Sequence, residues 1–99
     1  MYDLKYHPLV AKDLEQLNHS IRIEVFKQIK KIQTSPQLGL PLGNKNGMNL
    51  TGLRKMYAAK KQIRIVYSIV EEIVVVKVLV IGRREDMEVY RQASQRRES

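Results

Sequence analysis

Residues 53–81 read LRKMYAAKKQIRIVYSIVEEIVVVKVLVI, and the fold turns on how this stretch divides. Three runs rich in Ile, Val and Tyr, namely Leu53 to Ala59, Ile63 to Val70 and Ile73 to Ile81, have strand character. They are separated only by Lys60-Lys61-Gln62 and Glu71-Glu72. Connections this short join antiparallel neighbours, so the stretch predicts a three-stranded meander. The last run is apolar on both faces except at Lys77, the pattern of a central strand.

Toward the N-terminus, Tyr2, Leu4 and Tyr6 alternate with Asp3 and Lys5, the period of a half-buried strand that His7-Pro8 ends. Pro8 suits a first helical turn, and Val10, Leu14 and Leu17 form one inward stripe, predicting a helix of about three turns. Asn18-His19-Ser20 interrupts it, with Ser20 as the expected N-cap of a second helix. In that helix Ile21, Val25, Ile29 and Ile32 face inward while Lys27, Lys30 and Lys31 turn away. From Ser35-Pro36 to Gly52 the frequent Pro, Gly and Asn residues predict a long loop, with Leu38, Leu40, Leu42 and Leu50 available to pin it. Beyond the meander the chain turns at Gly82, and Asp86 is the expected cap of a short final helix carrying Val89, Tyr90 and Ala93. The polar tail Ser94 to Ser99 is expected to fray. The order is α+β in a single domain, 1–99: N-terminal strand, helical hairpin, three-stranded antiparallel meander, short C-terminal helix.

Eighteen basic against ten acidic residues give a formal charge of +8. Between Glu24 and Glu71 no acid occurs, while Lys27, Lys30, Lys31, Lys45, Arg54, Lys55, Lys60, Lys61 and Arg64 all fall there. The segregation points to an anionic partner, whether nucleic acid, an acidic protein or each in turn. With no cysteine, disulfides and thiolate metal sites are excluded, and a reducing cytoplasm is the simplest home. The opening Met1 to Tyr6 lacks the order of a secretory signal, and the longest apolar run is only strand length, so no membrane role is expected.

Alternation places Lys55 and Tyr57 on one face of their strand, and Arg64 and Val66 on one face of the next. A two-residue turn at Lys60-Lys61 would pair Tyr57 with Arg64 and Lys55 with Val66, gathering Lys55, Tyr57 and Arg64. That turn lacks the Gly or Asn a tight primed turn prefers, and a longer loop would give another register. Arg83, Arg84 and Tyr90 stand where they complete the same face. An electropositive patch holding a phenol suits a phosphodiester, because arginine forks hold phosphate oxygens and oppose the charge of a pentavalent transition state. In RNA the adjacent 2′-hydroxyl is a built-in nucleophile, so no metal is required. Lysine and tyrosine titrate near 10, and neighbouring cations are expected to lower both toward a useful base. Ordinary cross-strand pairing on a solvent-facing sheet is the plainer reading of the same residues. His7 and His19 lie near helix ends, apart from the basic strands, and the sequence holds no metal-ligand cluster, GxSxG or Walker loop. No cofactor is implied.

Leu53-Arg54-Lys55, Ile63-Arg64-Ile65-Val66-Tyr67, Val80-Ile81-Gly82-Arg83-Arg84-Glu85-Asp86 and Val89-Tyr90 resemble, in that order, the signatures of RelE/ParE superfamily toxins of type II toxin-antitoxin pairs. The resemblance covers essentially the whole chain and favours the RelE-like branch. It implies a metal-independent mRNA endoribonuclease that enters the ribosomal A site, and an acidic RelB-like antitoxin that wraps and silences it. Operator DNA would be met only through that complex. By motif position Arg64 and Arg84 resemble the phosphate-binding and transition-state arginines, Tyr90 the tyrosine that orients the substrate base, and Lys55 a strand lysine of the site. Arg54, Lys60, Lys61 and Arg83 are the further RNA-binding candidates. Tyr57 departs from the pattern, since RelE-type members have there a second lysine proposed as the general base. The base is left open between Tyr57, Lys60 and Lys61. Two other functions share the fold: a ParE-like inhibitor of DNA gyrase, and a non-catalytic module that joins an antitoxin as co-repressor.

Overall fold

The computed structural model describes residues 1–45, 47–85 and 88–97. Three strands of the expected meander are present: β5 (Leu53–Ala58), β6 (Ile63–Val70) and β7 (Val75–Arg83), numbered after β1 (Asp3–Tyr6), β2 (Leu40–Pro41), β3 (Asn44–Lys45) and β4 (Met48–Asn49). Helices α1 (Val10–Glu15) and α2 (His19–Thr34) form the N-terminal hairpin, and α3 (Glu88–Arg96) closes the chain. The main sheet runs β1-β7-β6-β5-β2, with β1 parallel to β7 and the other pairs antiparallel. β7 therefore has a strand neighbour at each edge, and its two faces are apolar because a core packs against each face of the sheet.

The sheet carries a core on each face. Val25, Ile29 and Ile32 of α2 pack with Val10 and Leu17 over Ile63, Ile65, Tyr67, Val76, Val78 and Ile81. On the other face Val89, Tyr90 and Ala93 of α3 pack with Leu42, Leu50, Leu53, Val66, Leu79 and Val80. A register shift between Val66 and Tyr67 puts Leu79 on this second face beside Val80.

Several local expectations are corrected. The first helix spans six residues rather than three turns, and the second is capped by Asn18, not Ser20. Asn18 Oδ1 accepts from the Ile21 N–H at 2.9 Å and also takes the Ser20 hydroxyl at 2.9 Å, so the serine serves the cap instead of forming it. The stretch after α2 is not an open loop: a 3-10 turn (Pro36–Leu38), the edge strand β2 and the β3–β4 hairpin fill it. Of its four leucines only Leu42 and Leu50 are buried, whereas Leu38 and Leu40 are exposed. The pin is Tyr67, whose hydroxyl donates to the Pro36 carbonyl and accepts from the Gly39 N–H. Gly39 is required by that approach, because a Cβ there would sit 2.2 Å from the phenol oxygen. The last strand starts at Val75 because Glu71–Ile73 form a 3-10 turn and Val74 is left-handed at φ 55°. Finally, α3 takes in Ser94 and Gln95 and ends on Arg96, which is buried, so this part of the tail is docked. Asn46, the expected cap Asp86, and Glu98 and Ser99 lie outside the described residues. Among the described residues no helix is long and apolar enough to cross a membrane.

Candidate active site

The register of β5 against β6 decides which side chains meet. Tyr57 pairs with Arg64 and Lys55 with Val66, the pairing expected of a turn centred on Lys60-Lys61. The Gln62 N–H closes the turn on the Ala59 carbonyl at 3.1 Å. Ala59, Lys60 and Lys61 all have positive φ, at 52°, 55° and 68°, so a primed turn forms without glycine. Each such residue costs about 1–2 kcal/mol, which the flanking ladder must offset. The same turn holds the next element, because the Arg84 N–H donates to the Gln62 carbonyl at 2.9 Å.

Lys55, Arg64 and Arg84 converge on the Tyr57 ring, and Tyr90 joins them through Arg64. Lys55 Nζ donates to the phenol oxygen at 3.0 Å, Arg84 Cζ lies 5.4 Å from the ring centroid and Arg64 Cζ 6.0 Å. On its other side Arg64 lies 4.5 Å from the Tyr90 centroid, a stacking distance for a guanidinium. Gly82 stands opposite Arg64 on β7, and a Cβ there would come within 2.6 Å of Val89, so the glycine lets α3 close down and bring Tyr90 to the arginine.

Arg64 is only 6% exposed, yet among the described residues its Nε and Nη1 have no hydrogen-bond partner. A buried guanidinium leaves such donors idle at a cost of about 1–3 kcal/mol. Donors held rigidly at the floor of a cationic cluster are suited to an incoming anion. The phenol beside them is tuned. Its hydrogen bond from Lys55, and next the hydrogen bond and charge of Arg64, outweigh partial burial and bring Tyr57 down to about 8. Lys55 moves the opposite way. The hydrogen bond to Tyr57 raises it, opposed by burial and assisted by Tyr90, so the expectation that both groups fall is corrected. One hydrogen bond favours ammonium and phenolate together, which makes Tyr57 the basic partner of the pair.

The other candidates are placed differently. Lys60 and Lys61 are exposed at the turn and line, with Lys27, Lys30 and Lys31 of α2, a cleft of about 850 Å³ on the opposite side of β5. Arg83 is exposed at the end of β7. Arg54 is not brought to the cluster: its guanidinium reaches the carbonyls of Gln37 at 3.2 Å and Gly39 at 2.7 Å. His7 holds the start of the first helix, its Nδ1 accepting from the Leu9 N–H. The sequence reading missed Gln28, which donates to the Tyr57 carbonyl at 2.7 Å and braces β5 from α2. An amide at helical spacing from Ile21, Val25 and Ile32 is its only signal in the sequence.

Comparison with known proteins gives consistent matches. Residues 4–88 match the family model described as the ParE toxin of the type II toxin-antitoxin system parDE. The mRNA interferase toxin RelE of Escherichia coli is 31% identical over 98 residues, covering 96% of each chain. Among solved structures, a substituted form of E. coli RelE in the free state superposes with a TM-score of 0.74 at 27% identity, over 96% of both chains. A RelE structure in complex with a peptide of the antitoxin RelB gives 0.70 at 26% identity, over 93% of both.

Proposed function

The chain belongs to the RelE/ParE superfamily of type II toxin-antitoxin toxins, and from that membership we propose that it is an mRNA endoribonuclease acting through the Tyr57 cluster. The observation that carries this reading is Arg64, a buried guanidinium with two idle donors beside a phenol held near 8.

In the proposed reaction the Tyr57 phenolate removes the proton of an RNA 2′-hydroxyl. The freed oxygen attacks the adjacent phosphorus, and the bond to the 5′-oxygen breaks. The leaving oxygen takes a proton from water, giving a 2′,3′-cyclic phosphate and a 5′-hydroxyl. Arg64 and Arg84 hold the non-bridging oxygens and balance the charge that grows on them. Tyr90 orients the base, and Lys55 eases the ionisation of Tyr57 by its hydrogen bond to the phenol oxygen. Because nucleophile and electrophile belong to the same substrate, the step proceeds without a metal. Exposed Arg83 is placed to meet a flanking phosphate, while Lys60, Lys61 and the α2 lysines extend the cationic surface across β5 for a longer RNA. RelE is named as an mRNA interferase and is solved with a peptide of the antitoxin RelB, which supports mRNA as the substrate and a RelB-like antitoxin as the partner; the ribosomal A site is the place of action we propose with them. The net charge of +8 suits both, operator DNA being met only through the antitoxin complex in the cytoplasm.

The description of the matching family model favours a second reading, a ParE-like gyrase inhibitor that cuts no nucleic acid. Induction of the chain in cells, followed by primer extension on mRNA and a gyrase supercoiling assay, separates the two. Codon-register cuts that vanish with Arg84→Ala are expected. Intact messages with inhibited gyrase would sink the nuclease.

A further inference from the structure

The parallel ladder between β1 and β7 ends at Tyr6 and Val78, and the His7 N–H takes the Val78 carbonyl just beyond it. Past that point the outer edge of β7 has no strand partner among the described residues, although its backbone groups still need satisfying. Two side chains meet there from opposite faces of the sheet. Asp13 of α1 accepts the Ile81 N–H on Oδ2 at 3.0 Å, and Arg96 of α3 donates to the Leu79 carbonyl from Nη1 at 2.9 Å. They also clasp each other, Nη1 to Oδ2 at 2.7 Å and Nη2 to Oδ1 at 3.2 Å, with side chains only 12% and 9% exposed.

We propose that Asp13 and Arg96 are positioning residues for the catalytic face, their ion pair fixing the docked pose of α3 and hence the place of Tyr90 over Arg64. The functional half of this proposal rests on the ribonuclease reading above. Three features support it. First, α3 is nine residues long, too short to hold its own helix in water, so docking determines its structure. Second, Val89, Tyr90, Ala93 and Arg96 are its buried residues, with Tyr90 at the catalytic end and Arg96 at the other. A rigid helix passes a shift at Arg96 to Tyr90 about 9 Å away. Third, a two-pronged buried pair adds little net stability over an apolar contact, but admits few geometries. The apolar contacts of Val89 and Ala93 tolerate sliding, and the fork does not.

The experiment compares Arg96→Met, Arg96→Lys and Tyr90→Ala, singly and with Tyr90→Ala added to each Arg96 variant, in the purified full chain. Amide exchange is followed in residues 88–96 and in β5–β7, together with single-turnover cleavage of mRNA held on programmed ribosomes. Arg96→Met is expected to speed exchange in α3 while leaving the sheet protected, and to slow cleavage by roughly ten- to a hundredfold, as displacement of a positioned group does. In the Tyr90→Ala background it should cost nothing further. Lysine should recover part of both losses, and if the methionine variant unfolds, the lysine variant carries the same comparison. Unchanged α3 exchange in both variants, or cleavage losses that multiply with Tyr90→Ala, would overturn the proposal. A wild-type chain that does not cut mRNA on the ribosome removes the ribonuclease reading alone, because α3 exchange still decides what the pair holds.

Discussion

The two faces of the sheet treat tyrosine in opposite ways. Under α2, Tyr67 is fully buried, donates to the Pro36 carbonyl and accepts from the Gly39 N–H, and burial pushes its phenol above the usual value. On the other face Tyr57 is half-buried, faces Lys55, Arg64 and Arg84, and is drawn down to about 8. Both belong to adjacent strands and one fold. Satisfied polar groups on the first face hold the structure, whereas on the second a cationic excess is left partly unspent, as a site for an anion requires.

The largest break in this contrast is expected from Arg64→Met. Removing a preorganised donor to a transition-state oxyanion costs about 10²–10³ in rate. Single-turnover cleavage should show that loss, while the thermal midpoint stays level or rises, because two idle buried donors disappear. A variant that loses stability along with activity would mean that Arg64 is structural after all.

Tyr67→Phe should do the reverse. It leaves the Pro36 carbonyl and the Gly39 N–H without their shared partner, at a cost of about 1–3 kcal/mol. Cleavage per folded molecule should not change. Denaturant melts and rates normalised to folded protein check both halves.

The pH dependence sharpens the comparison on the Tyr57 face. With Tyr57 as base, the rate should climb about tenfold per pH unit below about 8 and flatten above, and Tyr57→Phe should abolish that limb. The linkage to stability has a definite sign. A phenol lowered from 10 to about 8 stabilises the fold fully only above 10, and that contribution is lost as pH falls to about 8. Neutral pH therefore has none of it, and melts between pH 8 and 10 are the place to measure it. A flat rate profile across pH 7–9 would remove Tyr57 as the base.

The meander was legible because alternation and Ile/Val content report directly on β5, β6 and β7, and register followed from the shortness of the Lys60-Lys61 turn. The convergence of Lys55, Tyr57 and Arg64 followed from that register alone. What escaped depends on distance in sequence. Nothing local tells that Tyr67 will reach back to Pro36, that Gln28 will brace Tyr57, or that Asp13 and Arg96, 83 residues apart, will meet at the edge of β7. The split between Lys55 and Tyr57 was missed for a different reason: a field of positive charge lowers both groups, but a direct hydrogen bond favours the charged form of each and wins.

The smallest effect probes how the Tyr57 face is held in register. Lys61 adopts φ 68° without the freedom of glycine, in a turn whose closing residue also anchors the Arg84 backbone. Lys61→Gly relieves about 1–2 kcal/mol of local strain, offset by about 0.4–1 kcal/mol of added unfolded-chain entropy, so a net gain of about 0.5–1 kcal/mol is expected. The same change removes one cation from the turn, so RNA binding should weaken evenly across sequences and its salt slope should fall by about one. Thermal melts and salt-dependent binding measure the two effects separately. A lower melting point would mean that Lys61 is held left-handed by contacts its side chain makes, and that the turn is built around the lysine instead of enduring it.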